Sequence, residues 1–273
     1  PRAIQSSSDS TGNSARTGTG TAMANSLKAR LKAGGKALGA WTMSDSADNA
    51  EVLALSGLDF IMIDQEHGQG MLPDAIAQMR AMAATKCVPM IRVPWNDFVY
   101  IKRVLDAGVQ GVMVPQVNTA EEAKAVVAAC RYPPQGMRGA AGGTRAAAYG
   151  FDMKYYDRAA DDLIIVVQIE NPQAVDNAAA IAAVDGVDVV FIGPRDLSAS
   201  IGKLNQFDDP ELKALLAKAE QAIKKSGKAL GCVANPGPAV KQMFDRGYDF
   251  LISGSDLAHL RNGVTQMLKD AGR

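Results

Sequence analysis

The sequence predicts an α/β chain folded as a (β/α)8 TIM barrel. Short apolar, β-branched runs alternate with Ala/Leu/Lys/Glu stretches of helical spacing from Ser26 onward. Eight such strand–helix pairs recur, spaced mostly by roughly 20–30 residues, as a parallel barrel requires. The units run evenly through the chain, and no G-x-G-x-x-G follows the first strand, which disfavours a doubly wound open sheet.

Each element has a local reason. The first strand is predicted at residues 37–41, and the helix after it, over 47–56, ends at Ser56-Gly57-Leu58-Asp59, where Gly supplies the helix C-terminal turn. The run Phe-Ile-Met-Ile-Asp gives a second strand at 60–64, followed by a helix over 74–85. A third strand at 89–93 and a helix over 98–107 end in another glycine turn, Ala107-Gly108-Val109-Gln110. The fourth strand, 111–115, leads to a helix over 120–130, started by Asn118 or Thr119 with Glu121 and Glu122 in its first turn. The long connection that follows contains a Gly/Ala/Arg-rich stretch, 138–150, read as a flexible substrate-covering loop with Arg138 or Arg145 as anion contacts. Strands at 164–169, 189–193, 229–233 and 250–253 alternate with helices over 174–183, 211–225, 238–246 and 256–270. Residues 1–22 are Ser/Thr/Gly-rich with almost no large apolar side chains, so they are read as a disordered leader or tail. Residues 23–273 form the single barrel domain.

Composition excludes several classes. With 29 basic against 29 acidic side chains, the chain lacks the basic excess of a nucleic-acid or membrane-surface protein. No apolar run approaches the roughly 20 residues of a membrane helix. Three cysteines, Cys87, Cys130 and Cys232, are widely spaced with no C-x-x-C pair. That argues against a disulfide framework or structural zinc and for a reducing cytoplasm.

Barrel enzymes gather their chemistry where strands end. Here the second strand ends in Asp64-Gln65-Glu66-His67-Gly68, the third carries Arg92, the fifth ends in Gln168-Ile169-Glu170, and the sixth runs into Gly193-Pro194-Arg195-Asp196. Gln168 and Glu170 share one face of their strand. Glu170 and Asp196 follow adjacent strands and can sit side by side, repelling unless a proton or a divalent cation lies between them. Oxygen ligation of that kind suits Mg2+, Mn2+ or Co2+; two solvated or helix-capping acids are the alternative. His67 beside carboxylates suits a general base near neutral pH. Arg92, on an apolar strand, needs an anion: a substrate carboxylate or developing enolate oxygen, or a structural ion pair. His259 in the last helix reads as structural or exposed.

Five ordered motifs resemble the HpcH/HpaI family of class II, metal-dependent pyruvate aldolases: GLDFIMIDQEHG at 57–68, PMIRVP at 89–94, LDAGVQGVMVP at 105–115, QIE at 168–170 and FIGPRDLS at 191–198. The similarity spans roughly residues 25–268. It implies a (β/α)8 barrel whose last helix is exchanged between subunits of a homo-oligomer, a hexamer or trimer. It also implies reversible cleavage of 4-hydroxy-2-oxo acids to pyruvate and an aldehyde through a metal-stabilised pyruvate enolate. Carried onto matching positions, Glu170 and Asp196 bind the metal, and His67 is the base with its basicity raised by Asp106 of a neighbouring subunit. Arg92 stabilises the enolate, Gln168 and the backbone near Arg195 and Asp196 hold substrate, and Glu66 orients a metal-linked water. Oxaloacetate decarboxylation or cleavage of a CoA thioester would use the same enolate. A non-catalytic metabolite-binding barrel is the remaining alternative, disfavoured because His67, Arg92, Glu170 and Asp196 occur together.

Overall fold

In the computed structural model, which describes residues 25–273, eight parallel strands close into a barrel in chain order. They are β1 (Ala37–Thr42), β2 (Phe60–Asp64), β3 (Val88–Arg92), β4 (Gly111–Val114), β5 (Ile164–Ile169), β6 (Val189–Ile192), β7 (Ala229–Ala234) and β8 (Phe250–Ser255), with β8 pairing back onto β1. The predicted barrel is the observed fold. The leader or tail expected at 1–22 lies outside the described residues.

Helix α1 (Ser26–Lys32) precedes the barrel; α2 (Ala47–Leu55), α3 (Leu72–Ala81), α4 (Phe98–Asp106) and α5 (Ala120–Cys130) follow β1 to β4. Helix α6 (Tyr155–Asp162) leads into β5, which is followed by α7 (Pro172–Asp176) and α8 (Ala178–Ala182). After β6 come α9 (Pro194–Ser200) and α10 (Pro210–Ser226), after β7 α11 (Pro238–Asp245), and after β8 α12 (Asp256–Asp270). Helices α1, α6 and α9 escape the sequence reading because seven or eight residues show barely two turns of periodicity. The helix expected over 174–183 is instead two, α7 and α8, meeting at Asn177. That residue sits at the edge of the helical region (φ −89°, ψ 0°) and donates its side-chain amide to Asn118 O at 2.8 Å.

Side chains alternate across each strand. Phe60, Met62, Val88, Met90, Ile164, Val166, Val189 and Phe191 fill the barrel interior, whereas Ile61, Ile63, Ile91, Ile165, Val167 and Val190 pack outward against the helices. The interior is dense: Phe60 and Phe250 stack with ring centroids 4.2 Å apart. Leu27 and Leu31 of α1 join that cluster and plug the N-terminal end of the barrel. Between them Lys28 is buried, its Nζ 3.0 Å from Asp188 Oδ2 and bonded to Ala160 O at 3.3 Å.

Two features concern the outer layer. Helix α12 buries only Asp256; Leu257, Leu260, Val264 and Met267 are 43%, 63%, 45% and 60% exposed and form one apolar stripe at three–four spacing. Helix α11 buries no residue at all. The second feature corrects an expectation. The stretch 138–150 does not cover the strand ends where the acids gather. Helix α5 runs away from that end, so the connection between Cys130 and β5 lies at the opposite end of the same barrel. There Arg138 is 2% exposed and ion-paired to Asp106, and Arg145 Nη1 donates to Ala107 O at 2.8 Å. Neither arginine faces the strand-end site of its own chain.

Candidate active site

At the C-terminal end of the barrel the inward-facing series turns polar. Along β2 the inward positions run Phe60, Met62, Asp64; along β3, Val88, Met90, Arg92; along β5, Ile164, Val166, Gln168 and then Glu170 just past the strand. The period-two pattern thus aims these groups into one mouth. Asp64 and Arg92 are register partners on adjacent strands. They form a two-point pair, Arg92 Nε donating to Asp64 Oδ1 at 2.9 Å and Nη2 to Oδ2 at 2.6 Å. Arg92 Nη1 also lies 3.1 Å from Glu66 Oε2, in an ion pair without hydrogen-bond alignment. The guanidinium carbon sits 4.1 Å from the ring centre of Trp41, the inward residue of β1. Of the two partners foreseen for Arg92, the barrel-mouth acid is the one it contacts here. Removing one member of such a buried pair typically costs about 3–5 kcal/mol, because the other is left charged and unpaired.

Glu170 is 2% exposed. Its Oε2 accepts from Gln116 N at 2.9 Å, and its Oε1 accepts from the Gln168 amide, whose own Oε1 is buried without a partner. Gln116 reaches it from a left-handed backbone, φ +56°. Gly193, beside Glu170 at the end of β6, makes room: a Cβ there would lie 2.7 Å from Glu170 Oε1 and 2.8 Å from its Cγ. Burial pushes the Glu170 carboxyl up to about 7; the Gln116 N–H pulls it down, and the negative charges of Asp196 and Glu66 raise it further. Glu66 is also raised, first by burial, against the pull of Arg92 and His67 and with the push of Asp64 and Asp196. Asp196, in the first turn of α9, is therefore close enough to bear on both acids.

Three mutually repelling carboxylates around one mouth suit a cation. The donors are hard oxygens, with no thiolate nearby, and that chemistry fits Mg2+, Mn2+ or Co2+. Among the described residues no group of three His, Cys, Asp or Glu side chains is arranged to hold an ion by itself. Two carboxylates completed by substrate and water are compatible with that arrangement.

His67 is exposed at the rim, on the turn after β2. Asp64 Oδ1 fixes this turn by accepting from Glu66 N at 3.1 Å and His67 N at 3.3 Å. Gly68 is required there, since a Cβ would lie 2.0 Å from Asp64 O. The Arg195 side chain is exposed. Asp106 ends α4, so it lies about 13 Å down the helix from the site end and cannot join His67 within one chain. His259 is exposed and packs over Gly254, with Nε2 3.1 Å from Ser253 O, in keeping with the structural or exposed reading. Four residues of the mouth went unassigned from sequence. Trp41, Asp64 and Gly193 could have been found by extending the inward alternation of β1, β2 and β6. Gln116 acts through its backbone and leaves no such trace.

Comparison with known proteins identifies the family. The family model described as HpcH/HpaI aldolase/citrate lyase matches residues 37–263. The chain is 45% identical over 246 residues to the 4-hydroxy-2-oxovalerate aldolase of Novosphingobium aromaticivorans, covering 90% of this chain and 94% of the relative. It is 40% identical to the hydroxypyruvate/pyruvate aldolase of Chromohalobacter salexigens over 243 residues, 89% and 95% of the two chains. Among solved structures, a HpcH/HpaI aldolase/citrate lyase family protein from Burkholderia cenocepacia superposes with a TM-score of 0.88 at 36% identity, over 91% of this chain and all of that one.

Proposed function

Because the chain belongs to the HpcH/HpaI aldolase/citrate lyase family, we propose that it is an aldehyde-lyase cleaving 4-hydroxy-2-oxo acids reversibly to pyruvate and an aldehyde. One observation carries this reading furthest: Glu170, 2% exposed and pushed up to about 7, faces the charges of Asp196 and Glu66 at the polar end of an otherwise apolar barrel. The printed activities of the relatives, aldolases of hydroxypyruvate/pyruvate and of 4-hydroxy-2-oxovalerate, support the same substrate class.

In this reading Glu170 and Asp196 hold a divalent cation, Mg2+, Mn2+ or Co2+. When bound, the cation supplies a Lewis acid that polarises the C2 oxygen of a 2-oxo acid. The chain's own groups do the rest. Gln168 and the backbone near Arg195 and Asp196 orient the oxo acid. His67 accepts the C4 hydroxyl proton as the C3–C4 bond breaks, the C4 oxygen becomes the aldehyde carbonyl, and the bonding pair passes toward the C2 oxygen. Arg92, preorganised by Asp64, Glu66 and Trp41, presents positive charge to that developing oxyanion. A proton returned to C3 completes pyruvate. Glu66 orients water at the mouth. Asp106 of a neighbouring subunit raises the basicity of His67, because a carboxylate favours the imidazolium.

A homo-oligomer, trimer or hexamer, follows from the same premise. The exposed stripe of α12 and the unburied α11 fit an outer layer completed by another copy exchanging its last helix. Among the described residues no helix is long and apolar enough to cross a membrane. The three cysteines are unpaired and buried, each thiol pushed up to about 12 by burial, which suits a reducing cytoplasm and gives no nucleophile.

Exchange of the pyruvate C3 protons into D2O, followed by proton NMR with added Mn2+, Co2+ or Mg2+, tests the reading. Exchange is expected with metal, lost after chelation and lost in Glu170→Ala and Asp196→Ala. His67→Ala should slow exchange while pyruvate still binds. Metal-replete protein with no exchange overturns the enolate chemistry. A panel of aldehydes with pyruvate, alongside oxaloacetate alone, then identifies the electrophile.

A further inference from the structure

We propose that Arg138 is a positioning residue: it fixes Asp106 at the end of α4 so that this carboxylate serves the active site of a neighbouring subunit. The inference rests on the reading of Asp106 as the partner of that subunit's His67.

Arg138 is the bulkiest fully buried side chain among the described residues, 2% exposed. Its Nη2 donates to Asp106 Oδ1 at 2.9 Å, and its guanidinium lies 4.5 Å from the ring centre of Tyr132 and 5.7 Å from that of Tyr155. Both rings lie beside the guanidinium, and the Arg138 backbone is anchored to the end of α5 by Arg138 N donating to Arg131 O at 2.9 Å. Asp106 is gripped by one oxygen only. Its side chain is one-quarter exposed, and Oδ2 accepts no hydrogen bond from the described residues. One oxygen is pinned, and the other keeps its accepting capacity free among the described residues.

The helix itself does not account for this acid. A carboxylate in the last turn of a helix opposes the helix dipole, which favours cations there. Nor does α4 need Arg138 to finish its backbone bonds. Arg145 already satisfies the Ala107 carbonyl at 2.8 Å, an ordinary capping contact. The buried Arg138 guanidinium, with two aromatic rings beside it, instead holds the Asp106 carboxylate, and such fixed geometry is what a remote partner group requires.

Subunit mixing of the full-length chain separates this from a structural role. Arg138→Met oligomers should exchange pyruvate protons roughly tenfold or more slowly than wild type, as a misplaced base partner predicts, with KM for pyruvate unchanged within about twofold. Hybrids of Arg138→Met with His67→Ala subunits should regain exchange, because an intact His67 then meets an Asp106 held by an intact Arg138 from the other chain. Hybrids of Asp106→Asn with His67→Ala should do the same. Failure of the first hybrid when the second recovers means that Arg138 acts within its own barrel, which overturns the proposal alone. Wild-type exchange by Asp106→Asn oligomers removes Asp106 from the site and the proposal with it. If Arg138→Met does not assemble, Arg138→Lys keeps the charge without the planar fork. Its exchange should be slower than wild type, and it should also complement His67→Ala; absence of complementation overturns the proposal.

Discussion

Gly193 and Glu170 set the tightest constraint at the residue scale. A methyl group at 193 would fall 2.7 Å from Glu170 Oε1 and 3.1 Å from the Gln168 amide nitrogen bonded to it. Gly193→Ala should therefore displace the carboxylate and weaken Mn2+ binding by about tenfold or more, read by calorimetric titration, while the circular dichroism of the barrel is unchanged. Glu170 also sets a pH dependence. Its carboxyl is raised from an ordinary 4.5 to about 7, so the folded, metal-free protein binds more protons than the unfolded chain between those values. The stability this contributes is full below 4.5 and is lost as pH rises through about 7. Melting of chelator-treated protein between about pH 5 and pH 8 should show that decline, and Glu170→Gln should flatten it. The residues that sequence reveals here are those carried by alternation. Gln168, Glu170 and Arg92 continue strand faces, so their convergence follows from period two, whereas Glu66 sits in the turn after β2 and comes from the family resemblance. Gln116 contributes a main-chain N–H from a left-handed conformation, and side-chain type says nothing about that.

At the scale of elements, strands were legible because buried β-branched runs are distinctive, and β2 and β5 have the predicted bounds. Short helices were not, since one face of seven residues is two or three side chains. The stretch 138–150 was misjudged for a different reason. Its length suggested a functional loop, but composition does not say at which end of a barrel a loop lies; the direction of α5 does. Helix α12 is the element whose surroundings are most incomplete. Burying an apolar side chain of this size typically stabilises by about 1.5–3 kcal/mol, so four exposed ones on a stripe represent a large unrealised contact. In the proposed homo-oligomer, the double variant Leu260→Glu, Val264→Glu should separate the subunits in sedimentation velocity. It should also lose proton exchange, since Asp106 and His67 lie at opposite ends of one barrel. A stable, fully active monomer would remove Asp106 from the site.

Seen as a whole molecule, the barrel is blocked at its N-terminal end. Leu27, Leu31 and the Phe60–Phe250 stack fill the axis, and Lys28 ties α1 to Asp188. Nothing passes through, so both reactants share a single doorway. Glu170 and Gln168 lie at its back, each 2% exposed, whereas His67 stands at the threshold. Whatever occupies the back must arrive before its co-reactant and depart after it. The kinetics should accordingly be sequential: in cleavage the aldehyde leaves first, and pyruvate inhibits competitively against the hydroxy-oxo acid while the aldehyde does not. A random order in product-inhibition patterns would contradict it. A cul-de-sac of this shape makes the queue itself part of the enzyme's chemistry.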